Sequence, residues 1–406
     1  MAVTLEEAKP SVAGFISDRL DRIDRLIQGC VDRQEIPGAV AILLKDGQIG
    51  YYRAFGWADL DTKKPMEKDA LFRVASMSKL ITTVATLQIY EKGHYDMGTP
   101  LADVLPEFAE PEVFVSWDEE KQVFVTEPAK QKIRMKHLFT HTSGIVYPVF
   151  TNAGRDGYLK AGITDACPDG TIDLAENIQR LAGVPLAHEP GEGYTYGMNM
   201  DVLGRVIEVV DGRPFARYMR EEIFQPLGMT DTGFFVPEEK RERIVSIYTT
   251  VDGKLARFDE TVIAQRLPNN YLEWWAKDSD KIALGGAGIV STAYDYAQFL
   301  QMLVNKGNLD GKRILGRKTV EMLSRGLYSE STDATTAIGL SVSVVTGAQK
   351  HYHPESEGTF TWGGYFYTSF WVDPQEKFVG VLMSQINPAQ TRLDGQFKIM
   401  AYSALE

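Results

Sequence analysis

The chain has 406 residues, which is long enough to bury a large core and to form two domains or one domain with an insertion. Its 55 acidic and 43 basic residues give a formal net charge of −12 with no Lys/Arg cluster, which argues against binding to nucleic acid. Neither a signal peptide nor an apolar run of transmembrane length is present, so we expect a cytoplasmic protein without a membrane partner.

The first predicted elements are a helix and a β-hairpin. Apolar residues recur every three to four positions over residues 16–31, which indicates an amphipathic helix, and this pattern stops at Ile36-Pro37-Gly38. Two apolar runs then follow, Val40–Leu44 and Ile49–Phe55, on either side of Asp46-Gly47. Such a turn between two strand-like runs is typical of a hairpin.

The segment Ser76-Met77-Ser78-Lys79 comes next, at the start of a second predicted helix. Residues three apart share a helix face, so the hydroxyl of Ser76 can meet the ammonium of Lys79. A hydroxyl becomes a good nucleophile when a neighbouring group accepts its proton, and a desolvated lysine can take part in that. The Ser76 amide, at a helix N-terminus, would also serve as an oxyanion donor. Because about one S-x-x-K is expected by chance in such a chain, further motifs must support this interpretation.

The middle of the chain, residues 81–280, is predicted to be helical and rich in loops. It contains one small predicted hairpin, made by Val113–Ser116 and Val123–Thr126. Near the C-terminus, Phe360–Val372 and Phe378–Met383 are predicted to pair as a second large hairpin.

A final helix is predicted over residues 391–404, so both ends of the chain offer a helix and a hairpin. These pieces fit one antiparallel sheet with helices on its faces. We therefore predict an α/β (α+β) fold with a sheet domain from residues 1–80 and 281–406. The mainly helical insertion domain would comprise residues 81–280, with the active site between the two domains.

The chain contains two cysteines, Cys30 and Cys167. Cys30 falls on the apolar side of the first helix, so we interpret it as a small buried hydrophobic residue, and pairing with Cys167 is possible but not required. No convincing set of metal ligands is found in the sequence, and we predict neither a metal nor another cofactor.

Six segments along the chain together resemble the motifs of a known superfamily. They are Ile36–Val40, Phe72–Lys79, His137–Gly144, Tyr196–Gly204, Gly285–Thr292 and Trp362–Gly364. Their order resembles the serine β-lactamase and penicillin-binding-protein superfamily, nearest its class C-like branch, which includes family VIII carboxylesterases and the lovastatin acyltransferase. The resemblance covers nearly the whole chain. It implies a β-lactamase/transpeptidase-like fold, with an antiparallel sheet flanked by N- and C-terminal helices and a helical insertion domain.

The resemblance also implies a catalytic set of Ser76, Lys79 and Tyr196. A free phenol has a pKa near ~10, so Tyr196 needs a nearby cation such as Lys79 to act as the base. Tyr194 is the rival for this role, but the Met-Asp-Val-Leu-Gly that follows sets the register of the motif on Tyr196. By the same resemblance, the amides of Ser76 and Tyr365 would form the oxyanion hole.

The last of these segments, Trp362–Gly364, indicates which substrates fit the site. True β-lactamases carry Lys-Thr-Gly or His-Thr-Gly where this chain has Trp362-Gly363-Gly364, so the group that would bind a substrate carboxylate is missing. Trp362 offers an apolar surface, which favours uncharged esters. Asn199 stands three residues after Tyr196, one later than in class C enzymes. The candidate substrate contacts are Trp362, Gly363, Gly364, Asn199 and Tyr147.

Two segments are candidates for the walls of an acyl pocket. One is Tyr147–Thr164, and the other is the aromatic cluster of Tyr271, Trp274 and Trp275, which would otherwise belong to the core. We predict a serine carboxylesterase that cleaves short-chain or aryl esters as small-molecule substrates. The alternatives are acyl transfer to an alcohol and weak β-lactamase or D-amino-acid peptidase activity. A non-catalytic scaffold would not require Ser76, Lys79 and Tyr196 together.

Overall fold

The computed structural model describes residues 5–151, 154–166, 171–268, 270–276, 283–329, 337–347 and 353–406. Its helices, in chain order, are α1 Ser17–Asp32, α2 Ser78–Glu91, α3 Met135–Phe139, α4 Arg155–Lys160, α5 Leu174–Ala182, α6 Asn199–Asp211, α7 Phe215–Met219, α8 Gln225–Leu227, α9 Glu260–Arg266, α10 Ala293–Val304, α11 Arg317–Leu323 and α12 Leu393–Ser403. Its strands are β1 Gly38–Lys45, β2 Gln48–Asp59, β3 Lys64–Pro65, β4 Phe72–Arg73, β5 Glu112–Asp118, β6 Val123–Pro128, β7 Tyr248–Val251, β8 Lys254–Arg257, β9 Val290–Ser291, β10 Asn308–Leu309, β11 Lys312–Arg313, β12 Ala337–Ile338, β13 Ser343–Val344, β14 Phe360–Gly364, β15 Thr368–Asp373 and β16 Phe378–Met383.

The main sheet has eight antiparallel strands in the order β12-β13-β14-β15-β16-β1-β2-β3. Strands from the two ends of the chain meet where β1 pairs with β16, with Val40 opposite Met383 and Lys45 opposite Phe378. The predicted α/β fold with one antiparallel sheet is thereby confirmed. The hairpin of β14 and β15 contacts the chain just before α2, where the Thr368 hydroxyl donates to the Val74 carbonyl at 3.2 Å.

Both faces of the central strand β1 are buried. Ala39, Ala41 and Leu43 belong to a core layer that also contains the apolar faces of α1 and α12. The alternate residues, such as Ile42, point into the larger core on the opposite face, where α2 and α10 pack. This alternation is the two-residue period of a strand, and the sheet therefore separates two helical layers.

One predicted strand is wrong. The sequence predicts a continuous strand over Phe360–Val372, but the chain turns at residues 365–367 and forms the hairpin β14–β15. The Tyr367 amide donates to the Gly364 carbonyl at 3.1 Å, and Tyr367 has a left-handed φ of 65°. The turn escapes detection because Tyr365-Phe366-Tyr367 are strand-forming residue types, and Phe366 is buried as it would be in a strand.

The middle of the chain contains the predicted small hairpin, formed by β5 and β6. Cys30 is buried with a free thiol, as expected, whereas Cys167 lies outside the described residues. The boundary expected at residues 280–281 also lies outside them, so the division into two domains stays a prediction. Among the described residues, no helix combines the length and apolar character that a membrane crossing requires.

Candidate active site

Ser76 lies in a tight 3₁₀ turn, residues 75–77, between β4 and α2. The residue before it, Ala75, has a left-handed φ of 45°, which is unfavourable for any residue with a Cβ. Hydrogen bonds fix both ends of this turn, from the Val74 amide to the Ile289 carbonyl and from the Tyr296 hydroxyl to the Met77 carbonyl. Strained backbone that the surroundings hold in place is a common property of functional sites.

The side chains of Lys79 and Tyr196 converge on the hydroxyl of Ser76. Lys79 Nζ lies 3.1 Å from Ser76 Oγ, and the Tyr196 hydroxyl lies 2.7 Å from the same atom. Lys79 is fully buried and also donates to the Gly286 carbonyl at 2.7 Å. Ser76 and Tyr196 are half-buried, so substrate can reach the hydroxyl while the ammonium stays away from water.

Close backbone packing places Tyr196 in this position. A Cβ on Gly197 would stand 1.9 Å from the Ile145 carbonyl oxygen. Only glycine therefore allows the segment before α6 to lie against the loop that contains Ile145. The Thr195 amide donates to the His141 carbonyl at 2.8 Å. Tyr194 points elsewhere, because its ring stacks on Tyr328 with 6.2 Å between centroids.

Asn199 supports the site from beneath and does not line the pocket. It is fully buried, accepts from the Ser143 hydroxyl at 2.5 Å and donates to His141 Nδ1 at 2.9 Å. Since Nδ1 accepts, the proton of His141 lies on Nε2. Burial, together with the charge of Lys79, lowers the pKa of His141 to about 3, so this ring is neutral. The structure therefore gives no support for substrate contact by Asn199.

An apolar cavity of about 310 Å³ opens beside Ser76. Its lining consists of Ala75, Ser76, Tyr147, Val149, Phe150, Ala166, Tyr196, Leu267, Ala287, Trp362, Gly363, Tyr365 and Phe366. None of these side chains is charged. Tyr147, Trp362 and Gly363, which the sequence predicts as substrate contacts, are among these lining residues, and the ring centres of Trp362 and Tyr196 are 5.8 Å apart.

Gly364 stands behind the pocket, against the turn that carries Ser76. A Cβ at this position would come within 2.4 Å of the Val74 carbonyl oxygen and 2.2 Å of Thr368 Oγ1. The absence of a side chain therefore lets the end of β14 approach the nucleophile turn closely. Tyr365, whose amide is the second expected oxyanion donor, follows directly and lines the cavity.

Comparison with known proteins agrees with this geometry. A family model described as β-lactamase matches residues 23–402. The chain belongs to the β-lactamase family. The esterase EstB of Burkholderia gladioli is 30% identical over 87% of this chain and 86% of its own. The lovastatin esterase of Penicillium rubens is 28% identical, with 88% of this chain and 91% of its own covered.

Solved structures show the same fold. EstCE1, described as a hydrolase with promiscuous acyltransferase activity, has a TM-score of 0.81 and 25% identity, covering 96% of this chain and 98% of its own. Simvastatin synthase from Aspergillus terreus has a TM-score of 0.79 and 23% identity, covering 96% and 99%. The predicted superfamily and fold are confirmed, and the relatives support the prediction of a serine esterase.

Two segments of this β-lactamase-family protein form the far wall of the cavity. Val149 and Phe150 come from the first predicted wall segment, Ala166 lies two residues beyond its end at Thr164, and Leu267 comes from a second loop. Trp274 and Trp275, from the aromatic cluster, are buried and do not line the cavity, in agreement with the core alternative.

A buried hydrogen-bonded pair, Asp165 and Asn270, fastens these two wall segments together. Asn270 Nδ2 donates to Asp165 Oδ1 at 2.8 Å, while its Oδ1 accepts from the Ala166 amide at 2.9 Å. The other oxygen of Asp165 accepts from the Val149 amide at 3.2 Å. Ala166 and Val149 both line the cavity, so this pair determines the position of the wall. Burial raises the pKa of Asp165 to about 6.

Asn270→Ala is expected to lower stability and to raise KM for esters with larger acyl groups. A lost hydrogen bond to a charged group costs roughly 1.5–3 kcal/mol. The loss of stability should be larger at about pH 8 than at about pH 5, because Asp165 is ionised only above its pKa of about 6. Thermal unfolding at both pH values and KM for an acyl-length series check this. Asn308→Ala is the control, since Asn308 lies in β10 and its Oδ1 accepts from the Gly311 amide, and equal effects of the two variants would contradict the role of the pair.

Proposed function

We propose that this protein is a serine carboxylesterase that cleaves short-chain or aryl esters through an acyl-enzyme on Ser76. The observation that carries the proposal is the convergence of Lys79 and Tyr196 on the Ser76 hydroxyl, at 3.1 and 2.7 Å, beside a cavity whose described lining carries no charge. Two relatives that bear the name esterase, from Burkholderia gladioli and Penicillium rubens, support the same reaction class. A small-molecule ester as substrate and a cytoplasmic location are part of this proposal.

In acylation, Ser76 Oγ attacks the ester carbonyl carbon and its proton passes to Tyr196. The Lys79 ammonium, 4.6 Å from the centre of the Tyr196 ring, stabilises the phenolate that accepts this proton. The amides of Ser76 and Tyr365 donate to the negatively charged oxygen of the tetrahedral intermediate. When the intermediate collapses, Tyr196 returns the proton to the leaving alcohol, and the acyl group remains on Ser76.

In deacylation, a water molecule attacks the acyl carbonyl while Tyr196 accepts its proton and then returns a proton to Ser76. An alcohol in place of water would give acyl transfer with the same residues. This second candidate is favoured by the similarity to EstCE1, which is described as having promiscuous acyltransferase activity.

A single experiment tests the acyl-enzyme and its two fates. The protein is mixed with p-nitrophenyl butyrate, quenched in acid, digested and analysed by mass spectrometry. We expect a butyryl adduct on the peptide that contains Ser76. Repeating the reaction with added n-butanol and measuring butyrate against butyl butyrate gives the balance of hydrolysis and transfer. An adduct on a peptide without Ser76 would contradict the proposal.

Trp362 should make the enzyme prefer neutral esters to penicillins. A substrate carboxylate in the cavity would be desolvated without a paired cation, because none of the described side chains that line it is charged. A penalty of ~4 kcal/mol corresponds to roughly a thousandfold in kcat/KM, so p-nitrophenyl esters should exceed benzylpenicillin by at least that factor. Trp362→Lys should narrow the gap by improving turnover of penicillin and impairing that of apolar esters.

Trp362→Phe serves as the control for this prediction, since it keeps an apolar ring and adds no charge. In this variant, the ratio of kcat/KM for the p-nitrophenyl ester to kcat/KM for benzylpenicillin should stay within about tenfold of the ratio in the unmodified protein. Equal efficiency of the natural protein on benzylpenicillin and on a p-nitrophenyl ester would show that a cation binds the substrate carboxylate elsewhere.

A further inference from the structure

A buried carboxyl group lies beneath the proposed catalytic lysine. Asp201, in the first turn of α6, is fully buried, and its Oδ1 accepts from the Gly286 amide at 3.0 Å. The carbonyl of the same glycine accepts from Lys79 Nζ at 2.7 Å. Gly286 is therefore held on both sides, by the carboxyl group through its N–H and by the ammonium through its C=O.

Two polar atoms occupy the space beside the Cα of Gly286. A Cβ on this residue would stand 2.5 Å from the Tyr147 hydroxyl and 2.8 Å from Asp201 Oδ2. Both of these atoms are buried, and neither has a hydrogen-bond partner among the described residues. Unpaired buried polar groups are costly, so this donor and this acceptor behind the lysine require an explanation.

The buried ammonium of Lys79 requires a negative charge nearby. In the described part of the chain, no carboxylate lies within 4.0 Å of this fully buried ammonium, whose polar partners are Ser76 and Gly286. A buried charge requires compensation, and a carboxylate on the far side of Gly286 supplies it at slightly longer range.

The other ionisable groups that the structure describes around Asp201 and Lys79 provide no substitute. His141 is neutral, because burial and the Lys79 charge lower its pKa to about 3. Asp165 already binds Asn270 and the Val149 amide. Tyr147 and Tyr196 face Lys79 with their rings, whose centres lie 5.2 and 4.6 Å from Nζ. Among the described carboxyl groups, Asp201 is thus the one that is linked to Lys79 through a single residue, Gly286.

We propose that Asp201 is a positioning residue that holds the Gly286 carbonyl on Lys79 and compensates the charge of the ammonium. The inference rests on the proposed catalytic role of Lys79. It assigns a second function to the segment Tyr196–Gly204 besides the presentation of Tyr196, since Tyr196 precedes α6 and Asp201 lies in the first turn of that helix.

Asp201→Asn tests the charge while keeping the shape and an oxygen that can accept from Gly286. The measurement is kcat/KM for p-nitrophenyl butyrate between about pH 5.5 and about pH 10. Burial raises the pKa of Asp201 to about 7, so wild type and variant carry the same charge well below that pH and their profiles should coincide there. Above it, only the wild type has a carboxylate that stabilises the ammonium. The alkaline limb of the variant should therefore lie about one pH unit lower.

Two further variants separate charge from geometry and from general damage. Gly286→Ala changes no charge but displaces the backbone between Asp201 and Lys79, so kcat should fall at least roughly tenfold with the alkaline limb unmoved. Asp295→Asn removes another buried carboxyl group, whose pKa burial raises to about 6 and which binds Thr232. This control should leave the alkaline limb where it is in the wild type.

Labelling of Ser76 by a fluorophosphonate distinguishes failure of this inference from failure of the proposed function. Wild type that is not labelled would overturn the proposed function and the inference with it. If the wild type is labelled but kcat/KM of Asp201→Asn equals that of the wild type at every pH, the inference alone is wrong. If Asp201→Asn does not fold, as judged by circular dichroism, Gly286→Ala decides, and an unchanged kcat in that variant overturns the inference.

Discussion

Ser76→Ala is expected to abolish ester hydrolysis and covalent labelling by a fluorophosphonate while leaving the fold intact. Lys79 and Tyr196 both contact the hydroxyl oxygen of Ser76. A water molecule in place of this hydroxyl could not form an acyl-enzyme, because the acyl group would have no side chain to bind to. Loss of a nucleophile costs roughly 10⁴-fold or more in kcat. Because Ser76 is half-buried at the mouth of a cavity, removal of its oxygen should change the melting temperature little.

Ser78→Ala is the matched control in the same motif. Ser78 is fully buried and its hydroxyl oxygen accepts from the Ile289 amide at 3.2 Å, so this variant should lose stability but keep labelling at Ser76. Rates of p-nitrophenyl ester hydrolysis and the mapped site of phosphonate attachment are the measurements. Labelling of another serine with retained hydrolysis in Ser76→Ala would overturn the assignment.

Tyr196→Phe is expected to lower kcat by at least roughly a hundredfold, the lower end for loss of general base catalysis. The substitution keeps the ring, which packs 5.5 Å from Tyr147 and 5.8 Å from Trp362, and removes only the hydroxyl that contacts Ser76. KM should change far less than kcat, since the lost interaction acts on the proton that moves and not on the bound ester.

Tyr194→Phe is the comparison that tests whether Tyr196 or Tyr194 supplies the catalytic phenol. The Tyr194 ring stacks on Tyr328 and lies 6.0 Å from His141, away from the hydroxyl of Ser76. We expect a loss of less than about tenfold in kcat for this variant, measured with the same ester. A larger effect at Tyr194 than at Tyr196 would mean that Tyr194 supplies the catalytic phenol.

Features that depend on neighbouring residues could be predicted from the sequence. The helix α1 and the hairpin of β1 and β2 follow from an apolar period and from the turn at Asp46-Gly47, which act over a few residues. The pairing of Ser76 with Lys79 is equally local, because one helical turn separates them. The convergence of Tyr196 on the same serine was inferred from the order of motifs, which the family resemblance supplied.

Features that depend on contacts between distant segments could not be predicted in this way. Gly286 binds Lys79 from 207 residues away, and no local pattern marks either its carbonyl or the carboxyl group of Asp201 behind it. The turn at residues 365–367 is made of strand-forming residues, so its position depends on the packing of Gly364 against Val74.

Asn199 illustrates the same limit within a recognised motif. Its identity and its distance from Tyr196 along the chain are plain from the sequence, but the direction of its side chain is not. Burial against Ser143 and His141 turns its amide away from the cavity, since both of its polar ends find partners inside the core. Residue types and local spacing thus determined the nucleophile and its lysine. Long-range packing decided which polar groups face the cavity and which lie in the core and hold the catalytic residues in place.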